Sequence, residues 1–250
     1  MGGIGLQIAY YKEYSPALGR EMEFKRYGTA GKVCFVFPCM NGRFYDYEDF
    51  HMPEAIAPFI DSGKLQLFCV DSIDGETWTA QGDPRRRIER HEAWYRYVTE
   101  ELVPRADQIS GNTEKRMTTG CSMGAFHAAN FFFRRPDLFD TVLSLSGMYE
   151  ADYFFGDYSD ELVYLNSPVD CLAQMPAEHP YIALYNSSRM IFCVGQGAWE
   201  EELLASTRRL DDVLRRKGIQ AWVDYWGQDV AHDWPWWYRQ MNYFLGKLFP

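Results

Sequence analysis

Arg116-Met117-Thr118-Thr119-Gly120-Cys121-Ser122-Met123-Gly124-Ala125-Phe126-His127-Ala128-Ala129 is the stretch that decides the fold. It predicts a short strand over 114–119, a sharp turn, and a helix over 122–134 stopped by Pro136. Gly120-Cys121-Ser122-Met123-Gly124 fits G-x-S-x-G, which places a serine on a tight strand-to-helix bend. Such a bend strains the serine backbone, and the flanking glycines allow the close approach it needs. The hydroxyl then stands free at the carboxyl end of the strand. The positive end of the following helix faces any negative charge that develops beside it. An inert serine in a Gly-rich turn is the competing expectation, and the strand and helix on either side weigh against it.

Outward from the bend, strands and helices alternate. Residues 6–14 and 21–27 predict a hairpin joined by Ser15-Pro16-Ala17-Leu18-Gly19. The apolar runs 32–37 and 65–70 predict buried strands, with a helix over 48–62 between them. A long helix is expected over 87–109, bent or ended by Pro104. Further strands are expected over 139–146, 190–195 and 220–226, and helices over 200–217 and 235–248. This rhythm predicts an α/β fold, a mostly parallel central sheet with helices on both faces. Residues 147–189 break it, being long and aromatic, and predict an insertion forming a partial lid within a single domain of 1–250.

Composition narrows the function. The net charge of −10 disfavours nucleic acid, which needs a basic face, and a polyanionic substrate. Arg85-Arg86-Arg87 reads as the solvated start of a helix. The six cysteines show no zinc spacing, and several sit in apolar runs such as Val33-Cys34-Phe35. No apolar run approaches the ~18 residues of a membrane span. Met1–Tyr14 lacks a basic head followed by an apolar stretch, and Leu6 stands where a myristoylation signal wants Ser or Thr. A reducing, cytoplasmic setting without membrane attachment is therefore expected. Association into a homo-oligomer stays open.

A nucleophilic serine needs a base, and the base needs an acid to orient it. Of the five histidines, His232 follows the last expected strand, where a G-x-S-x-G elbow finds its base. His91 and His127 fall on helices and read as packed residues, and chain order disfavours His51 and His179. The acid should follow the strand 190–195, which leaves Glu200 and Glu201, with Glu202 less favoured. Acidic residues opening a helix are ordinary, so the choice stays open at this point. For an oxyanion the N–H of Met123 is one donor. The other is the N–H of Met40 or Asn41, in the loop after strand 32–37. Trp199, Trp234 and Trp78 lie near the same end and are candidates for the walls of a substrate pocket, as is Trp236.

Four segments carry a family resemblance: the elbow, Phe37-Pro38-Cys39-Met40-Asn41-Gly42-Arg43, Gly195-Gln196-Gly197-Ala198-Trp199-Glu200-Glu201, and His232-Asp233-Trp234-Pro235-Trp236-Trp237. Together they resemble the putative esterase family of α/β hydrolases, the group of esterase D and the antigen 85 proteins. The likeness runs from about residue 15 to 248. It implies the α/β-hydrolase fold, Ser122 as nucleophile and His232 as base. Ala198 stands where the esterase D pattern has aspartate, and the spacing Gly195-x-Gly197-x-x-x-Glu201 is nearer the antigen 85 version, which favours Glu201. The resemblance implies a serine carboxylesterase acting on a small-molecule ester through an acyl-enzyme, with no cofactor and no metal. An acyltransferase of the same fold and a non-catalytic ligand-binding protein are the alternatives.

Overall fold

The computed structural model describes residues 6–250, so the reading of the first five residues lies outside it. Eight strands form one sheet: β1 Ile8–Ser15, β2 Arg20–Tyr27, β3 Lys32–Phe37, β4 Leu65–Val70, β5 Arg116–Cys121, β6 Phe139–Leu145, β7 Arg189–Val194 and β8 Trp222–Tyr225. Their order across the sheet is β1-β2-β4-β3-β5-β6-β7-β8. The hairpin β1–β2 is antiparallel and β2 runs antiparallel to β4, while every pairing from β4 to β8 is parallel.

Helices cover both faces because the central strands are apolar on both sides. Along β3, Val33, Phe35 and Phe37 enter one core, and Cys34 and Val36 enter the other. The chain supplies α1 Asp46–Asp49, α2 Met52–Ala55, α3 Ala57–Asp61, α4 Pro84–Arg96, α5 Val103–Ser110, α6 Met123–Arg134, α7 Asp152–Phe155, α8 Glu161–Leu165, α9 Pro168–Gln174, α10 Pro180–Asn186, α11 Glu201–Arg216 and α12 Trp234–Leu248. The first core takes side chains from α4, α6, α9 and α11, and the second from α1–α3 and α12.

One expectation needs correction. The helix expected over 48–62 is three short helices. His51 takes a left-handed φ of 54°, and Pro53 and Pro58 each restart the helix near its first position. A ring without an N–H suits a first turn and not an interior one. Of the two outcomes open for Pro104, bending or ending the long helix, ending does not occur. A π-helical turn, Tyr97–Leu102, lies between α4 and α5, and the chain passes from one to the other. The wider turn seats the proline at the start of α5, where its missing donor is tolerated.

Residues 147–189 carry the short helices α7–α10 between β6 and β7. The N–H of Tyr149 donates to Ser206 Oγ at 2.8 Å, and Arg87 Nη2 donates to the Phe154 carbonyl at 3.1 Å. Among the described residues, no helix is long and apolar enough to cross a membrane.

Candidate active site

Ser122 sits between β5 and α6 with φ 56° and ψ −121°, a region that costs a non-glycine residue free energy of order 1–3 kcal/mol. The surrounding glycines explain how the bend is tolerated. A Cβ on Gly120 would lie 2.3 Å from the backbone of Gly124, and one on Gly124 would lie 2.2 Å from the Phe37 carbonyl oxygen. Only bare backbone lets α6 pack this closely on β5 and β3. The Ser122 N–H is held by the Leu145 carbonyl at 2.9 Å.

Ser122 Oγ lies 2.9 Å from His232 Nε2. His232 comes from the loop between β8 and α12, and that loop is stitched to the one after β7. The N–H of Gln196 bonds to the Gly227 carbonyl at 3.2 Å, that of Gly197 to Val230 at 2.8 Å, and that of His232 to Ala198 at 2.9 Å. A Cβ on Gly195 would stand 2.2 Å from the Val230 oxygen, so the Gly195-x-Gly197 pattern is what lets the two loops touch. The ring of Trp237 meets the imidazole edge-on, with centroids 4.8 Å apart.

The acid facing His232 is Glu200. Its Oε2 lies 3.2 Å from Nδ1, and the residue is fully buried. Its Oε1 accepts from Ser146 Oγ at 2.6 Å and from the Gly195 N–H at 3.3 Å, and Trp237 Nε1 donates to Ser146 Oγ at 3.2 Å. Buried carboxylate oxygens need such donors, and these also fix the orientation of the group. Glu201, favoured by family spacing, points elsewhere. Trp199 has a left-handed φ of 67°, which turns the chain so that Glu200 drops inward while Glu201 opens α11 on the exposed side. Glu201 and Glu202 both line the cleft above Ser122.

That cleft, about 470 Å³, is walled by Met40, Met123, Met148, Tyr153, Phe154 and Trp199, with Ser122 and His232 at its base. Trp199 is 82% exposed. The other three candidate tryptophans do not line it, and Trp236 is half-buried with the Arg239 guanidinium over its ring. Trp78 is buried against Phe126, Phe154, Phe155 and His91, and Trp234 is stacked on Phe50 at 4.5 Å. The indoles of Trp78 and Trp234 are spent on the core, which rewards a large ring wherever one fits.

Of the two candidate loop donors, Asn41 is already engaged, since its N–H bonds to Asp74 Oδ2 at 3.3 Å. Met40 lines the cleft, as does Met123 at the first position of α6. The remaining histidines lie apart. His127 bonds to Asp74, His91 bonds to Trp78 and Asn166, His179 caps α10, and His51 precedes α2. Burial pushes the Cys121 thiol beside the serine, and that of Cys39 below the loop, well above the ordinary thiol range. Neither supplies a thiolate that would compete with the hydroxyl. Among the described residues no group of three or more His, Cys, Asp or Glu could hold a metal ion. Sequence reading missed Ser146, Met148, Tyr153 and Phe154, and it placed Trp237 in a family segment without a role. Only Ser146, at the end of a strand and next to a glycine, carries even a faint local signal.

Solved structures of similar shape include several esterases. A ferulic acid esterase superposes with a TM-score of 0.75 at 16% identity, covering 97% of each chain. An S-formylglutathione hydrolase from Agrobacterium tumefaciens gives 0.75 at 14% identity, covering 99% of this chain and 96% of that one. The MPT51 protein of Mycobacterium tuberculosis gives 0.71 at 14% identity, covering 97% of each chain. At these identities the likeness establishes the α/β-hydrolase fold. No curated protein matches the sequence. The family model described as Putative esterase matches residues 48–248, and with four-fifths of its length in that match the chain belongs to the Putative esterase family of ester hydrolases.

Proposed function

We propose that this serine esterase works through an acyl-enzyme on Ser122, with His232 as base and Glu200 as the acid that orients it. The observation that carries the reading is the chain of contacts from Ser122 Oγ to His232 Nε2 and from His232 Nδ1 to Glu200. With Nδ1–H donated to the carboxylate, Nε2 presents a lone pair to the serine hydroxyl. Oγ attacks the acyl carbon and its proton passes to Nε2. The carbonyl oxygen becomes an oxyanion facing the N–H groups of Met123 and Met40. The tetrahedral adduct collapses, the C–O bond to the alcohol breaks, and the alcohol leaves with the proton from Nε2. Water then attacks the acyl group by the same route, releasing the acid and restoring Ser122.

The cleft supports a substrate class. Its walls are methionines, aromatic rings and Leu203, and its charged residues are Glu201 and Glu202, with no lysine or arginine among the described residues that line it. We read the substrate as a neutral or cationic ester with an apolar or aromatic group, small enough for about 470 Å³. A carboxylate-rich thioester such as S-formylglutathione fits this lining poorly. Residues 147–189 serve as a fixed wall rather than a swinging lid, a reading supported by the bonds that pin Tyr149 and Phe154 to the body. The six free cysteines suit a reducing compartment, and we place the protein in the cytoplasm.

A fluorophosphonate probe tests the mechanism. It should label the wild-type protein once, at Ser122, and should not label Ser122→Ala. A p-nitrophenyl acetate burst should accompany labelling. A wild-type protein that neither labels nor turns over this ester would overturn the proposal.

A further inference from the structure

Asp74 is buried in the turn after β4 and makes contacts in two directions. Its Oδ2 accepts the N–H of Asn41 at 3.3 Å, and its Oδ1 lies 2.9 Å from His127 Nε2. Asn41 is left-handed, with φ 58°, and is the residue after Met40. Its side-chain oxygen accepts from Thr79 Oγ1 at 2.8 Å, and Thr79 N–H is itself bonded to the Asp74 carbonyl at 3.0 Å. On the other side, His127 stands one helical turn beyond Met123 on the same face of α6. It is boxed by Phe37, Trp78, Trp94 and Phe126, and its Nδ1 has no hydrogen-bond partner. The Nε2–H tautomer, with its one donor aimed at Asp74, fits this enclosure.

One carboxylate thus ties the loop that carries Met40 to the helix that carries Met123. Those residues belong to separate segments, and nothing in local sequence sets the distance between their N–H groups. Two donors aimed at one oxygen are effective only when held before the charge appears. We propose that Asp74 is a positioning residue that fixes the two oxyanion donors relative to each other, with His127 as its anchor on α6 and Thr79 as the second hold on Asn41. The inference rests on the acyl-enzyme reading above, and the wild-type labelling experiment reports separately on that reading.

The test compares Asp74→Ala, Asp74→Asn and Thr79→Val on a neutral p-nitrophenyl ester and on two inhibitors. A trifluoromethyl ketone forms a serine adduct bearing an oxyanion, and the matched methyl ketone binds without one. Asp74→Ala should lose about 10- to 100-fold in kcat and the same factor in trifluoromethyl ketone affinity. KM and methyl ketone affinity should hold within about twofold. Asp74→Asn should recover most of the loss, because a carboxamide oxygen still accepts from Asn41 while its NH2 donates to the other His127 tautomer. Thr79→Val, at a half-buried position, should show the same selective pattern at about three- to tenfold. Equal losses for both ketones and for KM would reduce Asp74 to a structural residue and overturn the proposal. So would wild-type kcat in Asp74→Ala or, if that variant does not fold, in Thr79→Val.

Discussion

Glu200 Oε2 lies 3.2 Å from His232 Nδ1, while the next residue, Glu201, faces the cleft. Two adjacent glutamates thus have separable effects. Glu200→Gln keeps the shape but can donate to Nδ1, favouring the wrong imidazole tautomer. We expect kcat on a neutral ester to fall about a thousandfold or more. Glu201→Gln should stay within about threefold of wild type, since no transition-state contact is lost. Steady-state kinetics on p-nitrophenyl acetate checks both, and a larger loss at Glu201 would reverse the assignment.

Gly195→Ala should disable the site from behind. The new methyl would stand 2.2 Å from the Val230 oxygen, so the loop bearing His232 must shift. A misplacement near 1 Å costs about a hundredfold in rate. Steric strain should cost about 1–3 kcal/mol of stability. Thermal unfolding and kcat together test this. An alanine variant with wild-type rate and Tm would show that the loops do not need their close approach.

Substrate charge should matter. We expect three acetyl thioesters of like size, whose thiols carry trimethylammonium, tert-butyl or carboxylate groups, to rank in that order of kcat/KM. The anionic compound should trail the neutral one by about tenfold. Added salt should narrow the gap, and Glu201→Gln/Glu202→Gln should close it. Equal rates for the neutral and anionic esters would contradict the reading of the cleft.

Stability should fall in mild acid through His91. Burial, then the neighbouring His127 and Arg134, hold its pKa well below the usual histidine range. Below about pH 6.5 the unfolded chain takes up a proton at this ring that the folded chain refuses. Its contribution is therefore complete above that pH and is lost as pH falls toward the folded value, by at most about 1.4 kcal/mol per pH unit. Denaturant titrations between pH 7 and pH 5 should show a steeper slope for wild type than for His91→Gln. Parallel slopes would show that His91 does not couple folding to protons.

Much of this architecture was readable in the chain because burial leaves a pattern. The run Lys32–Phe37 is apolar at every position but its first, as a strand covered on both faces must be. Ser122 and His232 announced themselves by spacing and chain order. Glu200 did not, because the turn that separates it from Glu201 depends on the φ of Trp199, and no residue type encodes that value. Trp78 and Trp234 misled because a tryptophan near a loop serves a core as readily as a pocket. Asp74 was silent because its partners, Asn41 and His127, are 33 and 53 residues away.

The stitched loops behind His232 determine which side chains of the site share one support. His232 and Glu200, the proposed base and acid, ride on one hydrogen-bonded patch, so a substitution that displaces this patch should move them together. Ser122, the proposed nucleophile, rides on a different piece, the junction of β5 and α6. The bond from Ser146 to Glu200, beside the Leu145 carbonyl that holds the Ser122 N–H, links the two pieces, so the Ser122–His232 gap of the proposed proton transfer is set by both.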